Sequence, residues 1–336
     1  KMYIARQDLR QIRRIIVADY RETVDYILGI PLFAQKIGKE NLSSLLCRLG
    51  NPEKSIPAVH VAGTNGKGST CRALAQMLTG MGYRVGLFTS PHLVSINERI
   101  QIDGENISDA DFVWAFETVK EKFTQHPSFF EVMFAMAAVY FREKKCDFVV
   151  YETGMGGRLD ATNVLMPELS IITSVGMDHM EYLGDTIEKI AAEKAGIIKP
   201  GIPIIYFKRD EAVAKVIEDT ARGQKSPVIP VEKQDYIINH LGDKTIDFSL
   251  HSRYYSYCNL VIQKTSLYQL ENISLAVMAF YGLMKARNAS EEDIENGIRE
   301  TLPEFYWEGR MEEIAPHIYV DGAHNVEAIR AYIDTM

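Results

Sequence analysis

The sequence has no apolar run long enough to cross a membrane. Its longest, Phe134 to Phe141, falls far short of the roughly 20 residues a spanning helix needs. The first twenty residues set Arg6, Arg10, Arg13 and Arg14 among short apolar pieces, without the continuous apolar core of a secretory signal. Cysteine is sparse. Cys47, Cys71, Cys146 and Cys258 lie far apart, with no CxxC pair and no metal-ligand spacing, which excludes a disulfide scaffold and a zinc module. Reduced thiols in a cytoplasmic protein are expected. An excess of positive charge is missing too: 37 Lys and Arg stand against 45 Asp and Glu, a net charge of −8. Such a surface has no general attraction for nucleic acid or an anionic membrane.

What is present is ordinary for a folded globular chain, 46% hydrophobic and 24% charged over 336 residues. The length exceeds what one hydrophobic core usually fills and predicts at least two domains. The first fifty residues read as two or three helices ending at Leu49-Gly50-Asn51-Pro52. Short apolar strands then alternate with amphipathic helices. Strands are expected at Ala58–Ala62, Arg84–Thr89, Phe148–Tyr151, Ser170–Val175 and Ile202–Phe207. Helices are expected at Ser69–Met81, Asp109–Thr124, Glu131–Glu143 and Thr186–Ala195. This alternation predicts an α/β fold with a doubly wound, mostly parallel sheet. Ile229–Val231, Thr245–Leu250 and Leu260–Gln263 read as a small antiparallel appendage, with helices following at Asn272–Lys285 and Glu291–Glu300. Past Pro303, strand Ile318–Val320 and a helix from Val326 look like the first strand–helix unit of a second, Rossmann-like domain. Residues 1–305 are thus expected to form one unit, and residues 306–336 a linker and the start of another, inside which this chain is expected to stop.

The sharpest local signal follows the first strand. Val59-His60-Val61-Ala62 runs into Gly63-Thr64-Asn65-Gly66-Lys67-Gly68-Ser69-Thr70 and then a helix. Glycines let backbone N–H groups turn toward an anion, the helix start adds positive potential, and Lys67 supplies a charge. The loop follows P-loop logic without the standard spacing, because Gly68 stands where a magnesium-binding Ser or Thr usually follows the lysine. The hard oxygens a nucleotide's Mg²⁺ requires must come from elsewhere, with Ser69, Thr70 and Ser90 as candidates. Phe148–Tyr151 delivers Glu152, a carboxylate at a buried strand end that needs a cation or metal. Ser170–Val175 delivers Asp178 and His179. In open α/β sheets, ligands gather at the carboxyl ends of the strands, so Lys67, Ser90, Glu152 and His179 share one address.

The ordered set His60 to Ser69, Thr89-Ser90-Pro91-His92-Leu93, Asn97-Glu98-Arg99-Ile100, Phe129-Phe130-Glu131, Gly156 to Asn163, Asp178-His179, Glu193 to Ile197, Gly309-Arg310 and Asp321 to Asn325 resembles the folylpolyglutamate synthase/dihydrofolate synthase group of the Mur ligase superfamily. The resemblance implies an ATP-dependent amide ligase. A folate or dihydropteroate carboxylate is phosphorylated by ATP, and the acyl phosphate is attacked by the amine of L-glutamate, releasing phosphate. It further implies that Gly63, Thr64, Asn65, Gly66, Lys67, Gly68 and Ser69 hold ATP, with Asn272 on the adenine side and Arg310 and Asp321 reaching over from the linker. Ser90 and Glu152 match ligands of one Mg²⁺ and His179 of a second. Lys194 matches a lysine that is carbamylated. Ser128, Phe129, Phe130, Glu131 and Leu159, Asp160, Ala161 match pterin-binding segments, although by themselves Phe129 and Phe130 read as core. His324 matches a residue facing the interdomain cleft.

Two departures stand out: Glu308 occupies a position where the family commonly has proline, and Ser128 one where some members have threonine. The rivals are a Mur ligase acting on a peptidoglycan precursor, and a protein that binds ATP without ligating anything. Retention of Glu152, His179 and Lys194 speaks against the latter. Neither dihydropteroate nor folate is favoured as acceptor. Partners are expected to be small molecules only, and the protein a monomer.

Overall fold

The computed structural model describes residues 19–31, 40–242, 245–263, 266–315 and 317–335. Of the helices expected in the first fifty residues, one covers residues 19–28 and another Glu40–Arg48, while positions 1–18 and 32–39 lie outside the described residues.

Runs of β-branched and aromatic residues form eight strands of one sheet: β1 (Ala58–Ala62), β2 (Val85–Phe88), β3 (Ile100–Ile102), β4 (Glu105–Asn106), β5 (Phe148–Glu152), β6 (Leu169–Ile172), β7 (Ile204–Lys208) and β8 (Val228–Glu232). Their order is β4-β3-β2-β5-β1-β6-β7-β8. From β2 to β8 all neighbours are parallel, and β3 and β4 close one edge antiparallel. Every residue of β1, β2, β5 and β6 is buried, as a sheet covered on both faces requires. Alternation then sorts the side chains. Val59, Val61, Phe148 and Val150 pack with helices α1 (Lys67–Gly80), α6 (Gln269–Ala286) and α7 (Glu291–Thr301). Phe88, Val149 and Tyr151 face α2 (Asp109–Lys120) and α3 (Phe129–Glu143) on the other side. Helices α4 (Ile187–Ala195) and α5 (Glu211–Gln224) cover β6 and β7.

Two expectations need correction. Ile229–Val231 belongs to β8, the outer parallel strand, where Val231 pairs with Phe207, and not to the appendage. The appendage is instead β9 (Tyr236–Leu241), β10 (Thr245–His251) and β11 (Ser256–Gln263) in the order β11-β10-β9, with Phe248, Leu250 and Ile262 buried in the α1/α6 core. Both segments alternate between turns, and only the partner strand, a non-local choice, separates them. The sixth strand also ends at Ile172 and not at Val175.

Past Pro303, β13 (Ile318–Val320) pairs antiparallel with β12 (Glu312–Ala315), a strand the pattern did not reveal. Helix α8 (Val326–Ile333) follows, and neither it nor β13 contains a buried residue. Strand β1 is central, with β5 on one side and β6 on the other. The chain reverses its direction of winding there, which opens a crevice at their carboxyl ends.

Candidate active site

The loop from β1 to α1 is held open by its glycines. Gly66 caps α1 in the left-handed region at φ 86°, and a Cβ there would stand 2.0 Å from Asn272 Oδ1. A Cβ on Gly63 would meet Thr173 Oγ1 at 1.8 Å. No side chain caps the first turn of α1, which leaves its N–H groups for an anion. The residues just past β6 lace the loop in place. Thr64 N donates to Ser174 O at 2.7 Å, Thr173 Oγ1 to Asn65 O at 2.7 Å, and Gly176 N to Thr64 Oγ1 at 3.0 Å. Past the end of β6, Thr173 N still donates to Ala62 O at 2.9 Å, while the Thr173 side chain and Ser174 serve the loop.

Glu152, the last residue of β5, is 3% exposed. Its Oε2 accepts from Ser90 N at 3.0 Å, and Lys67 Nζ lies 4.0 Å from Oε1. Burial pushes its carboxyl pKa up, and Lys67, the Ser90 N–H, Arg310 and Arg99 pull the other way. Gly68 completes the arrangement: a Cβ there would lie 3.5 Å from Glu152 Oε2. The carboxylate thus reaches the region a Ser or Thr side chain would enter in the usual P-loop. Lys67 meanwhile folds back and donates to Gly63 O at 3.1 Å and Thr64 O at 3.2 Å.

Lys194, in the last turn of α4, is 2% exposed. Burial first, and then the charge of Lys67, lower its pKa from 10.5 to about 7, while Asp178 opposes the shift. Asp178 connects further. Its Oδ2 accepts from Asn325 Nδ2 at 3.1 Å and lies 4.0 Å from His324 Nε2. Asn325 also exchanges amide hydrogen bonds with Asn65, Nδ2 to Oδ1 at 2.9 Å and the reverse at 3.2 Å, while its Oδ1 caps α8. The C-terminal unit is thereby fastened to the phosphate loop.

A crevice lined by Thr64 to Ser69, Ser90, Glu152, Asn272, Arg310, Asp321 and His324 gathers most of the sequence-predicted ATP and metal residues. Asn272 sits beneath Gly66 and donates to Gln269 Oε1 at 2.8 Å. Asp321 is oriented by Tyr268 OH, which donates at 2.6 Å, and by Met311 N at 2.9 Å. His179 is not in this lining. It is an exposed residue at φ 48° before the short helix Met180–Leu183. Among the described residues no group of three or more His, Cys, Asp or Glu side chains forms a metal cluster.

Comparison with known proteins decides what this crevice belongs to. The Mur ligase middle domain family matches residues 61–280. A dihydrofolate synthase/folylpolyglutamate synthase of Bacillus subtilis is 40% identical over 331 residues, 94% of this chain and 76% of that protein. The chain belongs to this family of ligases. The apo structure of Lacticaseibacillus casei folylpolyglutamate synthase superposes with a TM-score of 0.88 at 34% identity, over 94% of this chain and 79% of that one. A solved folylpolyglutamate synthase complex with AMPPCP and folate gives 0.87 at 34% identity over the same shares.

The two segments that the family resemblance connects with pterin have strong local duties here. Ser128 caps α3 in a reciprocal box: Ser128 N donates to Glu131 Oε2 at 2.7 Å, and Glu131 N to Ser128 Oγ at 3.4 Å. Phe129 is buried, and Phe130 packs on Phe88 with ring centroids 5.5 Å apart. Asp160 is turned inward, accepting from Met155 N and Thr162 N, both at 3.0 Å, while neighbouring Leu159 is 69% exposed and Ala161 packs against the α3 core. Loss of the cap in Ser128→Ala is expected to cost about 1 kcal/mol in denaturant unfolding. An unchanged midpoint would remove the capping role and leave Ser128 to a ligand. Sequence reasoning missed the contact of Asn325 with Asn65 and Asp178, the role of Tyr268 and the Thr173/Ser174 lacing.

Proposed function

We propose that this chain phosphorylates the carboxylate of a folate with ATP and joins the acyl group to L-glutamate, as its family's name describes. One observation carries the reading. Ser90 and Glu152 stand where the phosphate-loop crevice, which Lys67 also lines, meets a second cavity of about 480 Å³. Both are lined by Gly68, Ser90, Glu152, Arg310 and His324, so a nucleotide in one and a carboxylate in the other would meet there.

A carboxylate oxygen attacks the γ-phosphorus of ATP, and the bond to the departing ADP oxygen breaks. The glutamate amine then attacks the acyl carbon and expels phosphate. The α1 N–H groups and Lys67 balance charge on the migrating phosphoryl group. Ser90 and Glu152 suit a Mg²⁺ by chemistry, being a hydroxyl and a carboxylate at a buried strand end whose burial disfavours charge without a cation. The ion would supply charge neutralisation on the phosphates. A second Mg²⁺ at His179 has only the family resemblance behind it, since His179 stands outside the crevice, whereas a carbamate is assigned to Lys194, whose pKa of about 7 leaves much of the amine neutral. Residues 1–305 would hold ATP, and residues 306–336 would link it to the first elements of a glutamate-ligase unit, in a cytoplasmic monomer.

The test is phosphate release with ATP, Mg²⁺ and L-glutamate, comparing 7,8-dihydropteroate with a reduced folate monoglutamate. Release with folate supports a tail-lengthening synthase and release with both a bifunctional enzyme, whereas silence with both returns the reading to an ATP-binding protein. Glu152→Gln is expected to raise the Mg²⁺ needed for half-maximal rate by roughly tenfold or more. An unchanged Mg²⁺ profile would discard its role as ligand.

A further inference from the structure

The second cavity contains a cation that the reaction so far does not use. Arg72 lies one turn beyond Gly68 on α1, about 6 Å along the axis and on the same face. Its guanidinium lies beneath Gly104, where a Cβ would approach Nη1 to 2.9 Å. Arg72 Nε is buried without a hydrogen-bond partner, and no carboxylate lies within ion-pair distance of the side chain among the described residues. Burial lowers its pKa, and the charges of Glu308 and Glu105 oppose the shift. Arginine keeps its charge regardless. A half-buried guanidinium with one donor buried and unpartnered is costly, and a cavity beside it is where an anion would relieve that cost.

The rest of the cavity indicates which anion. Trp307, Tyr306, Pro91 and Leu93 supply a flat, apolar wall, and Gln101 an amide. Glu98, Glu105, Glu152 and Glu308 also line the cavity, which leaves Arg72 and Arg310 as its guanidinium groups for a carboxylate. An aromatic ring bearing an acyl chain fits such a wall better than free glutamate, which has nothing flat to lay against it. Folate offers two carboxylates a few bonds apart, one for the reacting centre at Glu152 and Lys67 and one left over. Dihydropteroate has only the carboxylate that reacts.

We infer that Arg72 binds the non-reacting carboxylate of the acceptor's terminal glutamate, and so selects folates over dihydropteroate. This rests on the function proposed above. Arg72 forms two parallel N–H···O bonds to that carboxylate, the geometry a guanidinium offers.

The experiment measures equilibrium binding by quenching of tryptophan fluorescence, Trp307 being one of only two tryptophans. Tetrahydrofolate monoglutamate and 7,8-dihydropteroate are titrated, in the presence of ATP and Mg²⁺ without L-glutamate, into wild type, Arg72→Met and Arg72→Lys. Expected for Arg72→Met is a loss of folate affinity on the order of 10- to 100-fold with dihydropteroate affinity unchanged. Arg72→Lys, which keeps the charge, should restore part of the loss. Equal losses for both acceptors, or none for folate, overturn the role of Arg72 while leaving the ligase reading standing. Wild type that binds neither acceptor overturns the ligase reading, and this proposal with it.

Discussion

Lys67→Met should lower acceptor-dependent phosphate release by about a thousandfold or more, with the unfolding midpoint nearly unchanged. The two parts of the expectation have separate causes. Lys67 Nζ touches only the carbonyls of Gly63 and Thr64 and stands 4.0 Å from Glu152, so no core contact is lost with it. Its charge, however, leads the influences that hold the buried Glu152 carboxyl down against the rise from burial. Without it Glu152 keeps its proton to higher pH and the site resists the loss by neutralising itself. The variant's Mg²⁺ requirement should therefore become steeper at acid pH than that of wild type, since the ion must displace a proton. Lys67 and Glu152 act as one unit, and the double variant Lys67→Met/Glu152→Gln should be hardly worse than Lys67→Met alone. Release within tenfold of wild type would remove the phosphate loop from the chemistry. Additive losses in the double variant would mean that the two groups serve different steps.

The part of this site that could be read in advance is the part written where buried strands run out. Lys67, Ser90 and Glu152 each come shortly after a buried strand, and parallel strands β2, β5 and β1 are neighbours, so the motifs met at one sheet edge. The unread part depends on partners far apart in the chain. Asn65 and Asn325 are 260 residues apart, and nothing local in either marks the exchange of amide bonds between them. β8 was assigned to the wrong sheet for the same reason, its pattern being compatible with either neighbour until β7 claims it. Arg72 was invisible because an arginine on an amphipathic helix is ordinary, and only an Nε buried without a hydrogen-bond partner among the described residues makes it otherwise. Ser128 and Glu131 show the converse. A pattern associated with a ligand is also, in this fold, a helix cap.

Lys194→Met should make the protein more stable and less active. A lysine whose pKa falls from 10.5 unfolded to about 7 folded is a group that folding penalises while it is charged. Between those two values the unfolded chain carries a proton the folded chain has shed, so stability rises with pH across that window. Below about pH 7 both states are protonated, and the full cost of the buried ammonium remains. Methionine fills similar space with no charge to bury, so the gain in unfolding midpoint should be largest near neutral pH and below, and should shrink toward pH 10.5. Activity should move the other way if a carbamate forms. The neutral amine adds to carbon dioxide and loses a proton, giving a carboxylate near Lys67, the group whose positive charge disfavours the free ammonium. Bicarbonate should then raise the activity of wild type and not of Lys194→Met, and a short carboxylic acid should partly restore Lys194→Ala. A variant less stable than wild type at every pH would mean that the ammonium is paid for by bonds of its own. Activity indifferent to bicarbonate in carbon-dioxide-free buffer would leave Lys194 a buried amine without a carbamate.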